Sequence, residues 1–455
     1  MDVGEILNFA DHVVFTQTGK HLNNLQKEVL ERVWQDQDYS TIAETVHKDE
    51  QYIRNIASEL WQVLSKGLHE KVNKSNLKTA IERQIIISSN KNITNFNFVG
   101  VGNLHVCPEH NPSIPPIHET NTNEFKKDLI TAPIITEFYG RNFELQTLEN
   151  YIIKSKARLI NLYGITGIGK STLAKRFIDI YDSEFEVIIW RNLQLKPHVD
   201  EVINSILLFL NPQGYFSEKL EKNFDKLLKV LDEKRCLIVI DGLQYLFDSG
   251  KLAGEYQPEY QSYQTLFNTI IDIPHKSCLL LISQQKTKEV TQLEKDNNLV
   301  YSLQLKGSDE AGIEIFKSKG LQDEDKWLNL INLYQSNPRW LKWVANLTQE
   351  LANGRVTEIF TDDSILLIEE VKDCLDQIFL RLLDSEKEIL LALAKLDTSV
   401  SIIQLKELVS LSQIELVNGM RSLLRRCLIE TIEKPQVVYS LNPLLRVYCL
   451  NLSGY

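Results

Sequence analysis

The stretch Gly164-Ile165-Thr166-Gly167-Ile168-Gly169-Lys170-Ser171-Thr172 decides the fold. It fits G-x-x-x-x-G-K-[ST], and the pattern has a mechanism. Glycines let consecutive backbone N–H groups curl around phosphate oxygens that bulkier side chains would keep away. Lys170 then reaches the outer phosphates, and the Ser171 hydroxyl is placed to ligate Mg2+. The flanks agree. Residues 157–163 (ARLINLY) read as a buried strand entering the loop, and 171–177 (STLAKRF) as a helix leaving it. The helix N-terminus and its dipole then face the phosphates. Gly164, Thr166, Gly167, Ile168, Gly169, Lys170, Ser171 and Thr172 are therefore expected to hold a nucleoside di- or triphosphate.

Outward from the loop, strands and helices alternate from about Phe138, the signature of a parallel sheet. Residues 185–190, 237–240 and 278–282 are apolar runs of the kind found in strands buried on both faces. In open α/β sheets the ligand sits at the carboxyl ends of strands, where Gly164, Asp241 and Ser283 fall. Asp241 is the candidate catalytic and Mg2+-holding carboxylate. Gly242 follows it, so no adjacent carboxylate can orient an attacking water, and slow turnover is expected.

Further on, residues 309–351 read as helical. Residues 386–396, 402–409 and 413–426 read as three helices, followed by strands at 428–432 and 437–441 around Lys434-Pro435. Three helices and then a hairpin is the order of a winged helix. The expected fold is multidomain: a parallel α/β sheet at 133–304, a helical subdomain at 305–375, a winged-helix subdomain at 376–455, and an all-α module ahead of them at 1–84.

In that first module, helical periodicity comes in three or four pieces. Leu25, Val29, Val33 and Trp34 mark one, Tyr39, Ile42, Ala43 and Val46 a second, and Tyr52, Ile53, Ile56, Leu60, Trp61 and Leu64 a longer third. Ser40 and Asp49 are placed to cap the second and third. The layout is that of a helix-turn-helix, with Gln51, Arg54 and Asn55 on the face that a DNA-reading version would present. Yet residues 22–83 hold nine Lys/Arg against ten Asp/Glu, without the basic excess that phosphate contact usually brings. DNA and protein both stay open as partners of this module. Residues 85–132, rich in Asn, Ser, Thr and Pro, read as a disordered linker.

A chain of 455 residues with 43% hydrophobic and 24% charged residues fits several soluble domains. Its net charge of −11 argues against a general attraction to nucleic acid. Cys107, Cys236, Cys278, Cys374, Cys427 and Cys449 lack C-x-x-C spacing and read as free thiols in a reducing compartment. His105, Cys107 and His110 lack a fourth ligand for a metal. No basic-then-apolar leader and no membrane-length apolar run is visible, so a cytoplasmic protein without a membrane partner is expected.

With its elements in this order, the chain from 138 to 452 resembles the NB-ARC proteins of the STAND class of P-loop NTPases, nucleotide switches in signalling. Phe138-Tyr139-Gly140-Arg141 resembles the family's hydrophobic-Gly-Arg lead-in, which packs near adenine and ribose. Residues 237–241 resemble its Walker B strand and 279–284 its sensor strand. Tyr334-Gln335-Ser336-Asn337-Pro338 resembles its G-N-P-L motif, whose proline packs on the base. Residues 22–83 are similar to the helix-turn-helix module found ahead of NB-ARC domains in cyanobacteria, of the vWA-MoxR-associated type, through 25–30 (LQKEVL), Leu60-Trp61 and 70–76 (EKVNKSN). The resemblance implies ADP or ATP with Mg2+, contacts from Arg141 and Pro338, output through the first module, and leaves homo-oligomerisation open.

Three departures bear on mechanism. The sensor strand ends Ile282-Ser283-Gln284, a neutral amide where the family has an arginine reading the γ-phosphate. Leu441-Asn442-Pro443 stands in place of the Met-His-Asp motif, leaving Asn442 to hydrogen-bond a phosphate oxygen without charge. The sequence ends at Tyr455 with no propeller or helical repeats of the kind that sense ligands in larger relatives. A nucleotide-gated regulatory switch with slow or no hydrolysis is the expected function. An ADP-locked scaffold, an ATPase that remodels a partner and a DNA-binding transcription regulator are the alternatives.

Overall fold

The computed structural model describes residues 24–34, 37–46, 48–68 and 125–452 apart from 212–219, 361–364, 397 and 435, together with Val14, Leu22, 72–74 and Leu77. The chain forms two compact units, Met1–Pro116 and Ile117–Tyr455. Most of the expected linker, and the trio His105, Cys107 and His110, lie outside the described residues.

The first unit is helical: α1 (Asn24–Trp34), α2 (Tyr39–Thr45) and α3 (Glu50–Leu68). Their apolar stripes meet in one core, with Val29, Leu30, Ile42, Ile53, Leu60 and Leu64 fully buried. The Trp61 indole donates to the Tyr39 hydroxyl at 3.0 Å, tying α3 to α2. Asp49 caps α3 as expected, accepting from the Gln51 and Tyr52 amides. The expected Ser40 cap is corrected. Asp38 caps α2 instead, accepting from the Thr41 amide at 2.8 Å and from the Ser40 hydroxyl at 3.0 Å. A carboxylate two residues earlier reaches the orphan amides first.

In the second unit six parallel strands form one sheet. They are β1 (Lys126–Asp128), β2 (Leu159–Tyr163), β3 (Val187–Asn192), β4 (Cys236–Asp241), β5 (Cys278–Ser283) and β6 (Val300–Gln304), in the order β1-β3-β4-β5-β2-β6. Two of the six were not expected. β1 falls inside the stretch read as linker, a correction at residues 126–128. Its hydrophilic Lys-Lys-Asp carries no strand pattern and is held by pairing to β3 and by the Asp128–Arg191 ion pair at 2.6 Å. β6 is the other edge, only Val300 of it fully buried.

Helices cover both faces. On one, α4 (Asn142–Glu149) and α5 (Lys170–Tyr181) bring Leu148, Phe177 and Ile178 onto Ile160, Leu162 and Val239. On the other, α6 (Val199–Leu210), α7 (Leu220–Glu233) and α8 (Ser262–Asp272) bring Ile203, Leu227 and Phe267 onto Ile189, Ile238 and Leu281. Period-2 alternation sends neighbouring residues to opposite cores, which is why these strands read as continuous apolar runs. Helix α9 (Lys288–Asp296) connects β5 to β6.

After the sheet come α10 (Asp309–Ser318), α11 (Glu324–Leu333), α12 (Pro338–Ala352), α13 (Glu369–Leu380), α14 (Asp384–Ala394), α15 (Ile402–Leu408) and α16 (Gln413–Arg425). The antiparallel hairpin β7 (Ile429–Lys434) and β8 (Gln436–Leu441) and the helix α17 (Pro443–Leu452) follow. Three helices followed by a hairpin is the expected order. The stretches read as a helical and a winged-helix subdomain share one buried apolar cluster that runs from Ile315 through Leu341 and Leu375 to Tyr448.

Candidate nucleotide site

The carboxyl ends of β2, β4 and β5 open onto a cavity of about 710 Å3. Its floor is the loop between β2 and α5, from Thr166 to Thr172. Gly169 and Gly167 have φ of +99° and +79°, in the left-handed region that glycine adopts freely. A Cβ on Gly167 would stand 2.7 Å from Arg339 Cβ, so that position has no room for any other residue. The loop amides and the N-terminus of α5 thus form a cradle for an anion, and the donor set fits a nucleotide phosphate chain.

Lys170 is buried at the start of α5 and donates from Nζ to the carbonyls of Gly164 at 2.8 Å and Ile165 at 2.9 Å. Burial pulls its pKa down to about 8, against the opposing pull of Asp241. Asp241 ends β4 beside it. Burial pushes its carboxyl pKa up, while a hydrogen bond from Ser171 and the Lys170 charge oppose the rise. Ser171, Asp241 and Lys170 therefore stand together, and the first two fit the ligand positions for Mg2+ next to a phosphate.

Phe138, Tyr139, Ala311, Ile315, Pro338 and Trp343 also line the cavity and offer apolar surface for a base. Arg141 also lines the cavity, but its guanidinium is occupied by Glu144 at 2.7 Å and by the carbonyls of Lys306 at 2.6 Å and Ile168 at 3.1 Å. It pins the loop from below, in a left-handed conformation of its own at φ +69°. Gln284 lines the cavity near Asp241, and its backbone N–H donates to Gln244 Oε1 at 3.3 Å.

Asn442 borders a separate cavity of about 330 Å3, with Ile165, Ile168, Gly307, Cys427 and Glu430, and not the one holding Lys170 and Asp241. Its Oδ1 accepts from the Leu445 amide at 2.6 Å, capping α17, so local capping fixes it there. Two residues were missed. Asn337, fully buried, caps α12 through the Arg339 amide and donates to the Thr166 carbonyl at 3.0 Å, joining α12 to the loop. Arg339 lines the cavity beside Gly167. Its signal was its place directly after Pro338.

Buried polar contacts hold the C-terminal helices to the sheet. Arg426 pairs with Glu386, which is fully buried, at 2.9 Å. It also donates to Gln285 Oε1 at 2.9 Å and the Lys251 carbonyl at 2.7 Å. The Ala253 amide donates to Ser422 Oγ at 2.6 Å and the Lys286 amide to the Arg425 carbonyl at 2.9 Å. Gln285 follows the cavity-lining Gln284 directly.

Among the described residues no cluster of His, Cys, Asp and Glu can hold a metal by itself, and no helix is long and apolar enough to cross a membrane. The five described cysteines are free thiols. A glycine cradle at a helix N-terminus, a buried lysine and a strand-end aspartate define a P-loop NTPase. The NB-ARC domain family matches residues 142–257, and the vWA-MoxR associated protein N-terminal HTH family matches residues 1–84. The chain thus carries an NB-ARC domain, with a vWA-MoxR-associated helix-turn-helix module ahead of it.

The chain is 33% identical over 316 residues to an uncharacterised WD repeat-containing protein of Nostoc sp., a match over 66% of this chain and 25% of that protein. It thus spans about a quarter of the length of this curated relative. Among solved structures it is similar to a STAND protein with a tetratricopeptide repeat sensor from Pyrococcus horikoshii, at 17% identity and TM-score 0.37 over 70% of this chain and 43% of that one. It is also similar to a Walker-type ATPase of Pyrococcus abyssi, at 15% identity and TM-score 0.48 over 69% and 96%.

Proposed function

We propose that this protein is an ADP/ATP-binding switch that hydrolyses ATP slowly, holds Mg2+ through Ser171 and Asp241, and signals through its helix-turn-helix module. The observation that carries the reading is the cavity itself. A complete phosphate cradle with Lys170 and Asp241 sits beside Gly242 and Gln284, which supply neither a base for water nor a charge from the sensor strand. Binding without efficient turnover is what a switch requires. The bonds from Arg426 to Gln285 and Glu386 link the strand bordering the cavity to the C-terminal helices, a route by which nucleotide state would be felt.

Protein docking is favoured over DNA as the module's role. On the solvent face of α3, Arg54 is already paired with Glu50 at 2.5 Å and Gln51 is hydrogen-bonded to Asn55 at 3.2 Å. An arginine neutralised by its neighbour adds little attraction for phosphate.

The purified protein is expected to carry ADP, and Lys170→Ala is expected to lose it, because the ammonium offsets phosphate charge in a partly dry site. ATP turnover should lie far below the enzymatic median of about 10 s⁻¹. Stoichiometric ADP on the Lys170→Ala protein would overturn the site. Steady turnover near that median, abolished by Asp241→Ala, would favour a remodelling ATPase.

A further inference from the structure

We propose that Arg339 takes the place of the missing sensor-strand arginine: its guanidinium binds the terminal phosphate of a nucleoside triphosphate and so lets this cavity tell ATP from ADP. The inference rests on the nucleotide reading above. A charge balance around the cavity leads to it. Glu137 is paired with Lys342 at 2.8 Å, and Arg141 with Glu144. Among the described residues that leaves Lys170 and Arg339 as cations against the single carboxylate of Asp241. Arg339 makes no ion pair or side-chain hydrogen bond to any described residue, whereas Arg141 beside it makes three. A cation without a counter-charge, in a chain whose net charge is −11, marks where an anion belongs.

Position selects which phosphate. Arg339 is the second residue of α12, and the Asn337 carboxamide fixes that helix start to the loop through the Thr166 carbonyl. Its Cβ and Cδ lie 2.7 and 3.2 Å from where a Gly167 Cβ would stand, so the side chain crosses the loop in front of the cradle. It is close enough to Lys170 for its charge to oppose protonation there. Lysine of this motif serves the outer phosphates, and a second cation facing it across Gly167 meets the outermost one. Gln284, which also lines the cavity, is neutral. An arginine fork suits this task, since it grips a phosphate through two parallel N–H donors.

The test is titration of the full chain, stripped of nucleotide, with ATP and with ADP in Mg2+. Arg339→Ala should weaken ATP by about 10- to 100-fold, the worth of charge-assisted hydrogen bonds to a phosphate, and change ADP by about 3-fold or less. Arg339→Lys should recover part of the ATP loss. Equal losses for the two nucleotides, or no loss for either, would overturn the proposal while leaving the nucleotide site intact. Failure of the unaltered protein to bind either nucleotide would overturn the proposal together with the reading beneath it.

Discussion

Removing the Arg426 guanidinium should loosen the C-terminal helices from the nucleotide-binding sheet. Its side chain is 10% exposed and that of its partner Glu386 is 0% exposed. Arg426→Ala therefore leaves a buried carboxylate without its cation, a change that costs about 3–5 kcal/mol. Glu386 keeps one compensation, since its Oε2 accepts from the Leu383 amide at 2.9 Å at the start of α14. That places the expectation toward about 3 kcal/mol. Glu386→Gln preserves this cap with a neutral side chain. In that background Arg426→Ala removes only the bonds to Gln285 and the Lys251 carbonyl, about 1 kcal/mol each. The four proteins form a double-mutant cycle, read by chemical denaturation, with a coupling of about 1 kcal/mol expected. Nucleotide release should quicken in Arg426→Ala, because Gln285 abuts Gln284 in the cavity wall. Costs that add within about 0.5 kcal/mol would refute the argument, since the pair would then be two independent side chains.

Two further expectations use the full chain. ADP affinity should fall above pH 8. The free protein's Lys170 has its pKa lowered to about 8 by burial, while bound phosphate raises it again, so binding takes up a proton above that pH. Between pH 7 and pH 9 the linkage gives about a tenfold weakening, and a flat profile in calorimetric titration would remove Lys170 from the phosphate site. Duplex DNA should bind no tighter than the about 10⁻⁶ M of non-specific contacts at physiological salt, by fluorescence anisotropy with either nucleotide. An affinity near 10⁻⁸ M, typical of specific recognition, would make the module a DNA reader despite the Arg54–Glu50 pair.

What the sequence displays best is whatever is written locally. The loop 164–172 specifies its own backbone, because each glycine answers a left-handed φ or a close neighbour. The central strands announce themselves by burial on both faces: β4 and β5 are buried at every position. The edges do not. β1 is three hydrophilic residues whose strand character comes from hydrogen bonds to β3, and β6 is half-covered. Propensity at such positions is overridden by the neighbour that pairs. The first module was legible for the same reason as the loop, its stripes at helical spacing closing into Val29, Ile53 and Leu64, while the Asp38 cap depended on where α2 begins.

The site residues divide along the same line, and the division bears on mechanism. Position by position, Gln284 is neutral where the resembled motif carries a charge, and Asn442 is uncharged where that motif carries a phosphate contact. The folded chain answers neither deficit at its own position. Asn442 is occupied with capping α17 at a different cavity. Charge for the phosphate side returns instead from α12, about fifty residues after the sensor strand in sequence and placed by the Asn337–Thr166 hydrogen bond. An electrostatic site sums over every segment that lines it, so a charge lost from one strand can be restored by a helix. A departure from a family motif therefore says what one position has lost, and only the cavity as a whole says whether the function has lost it too.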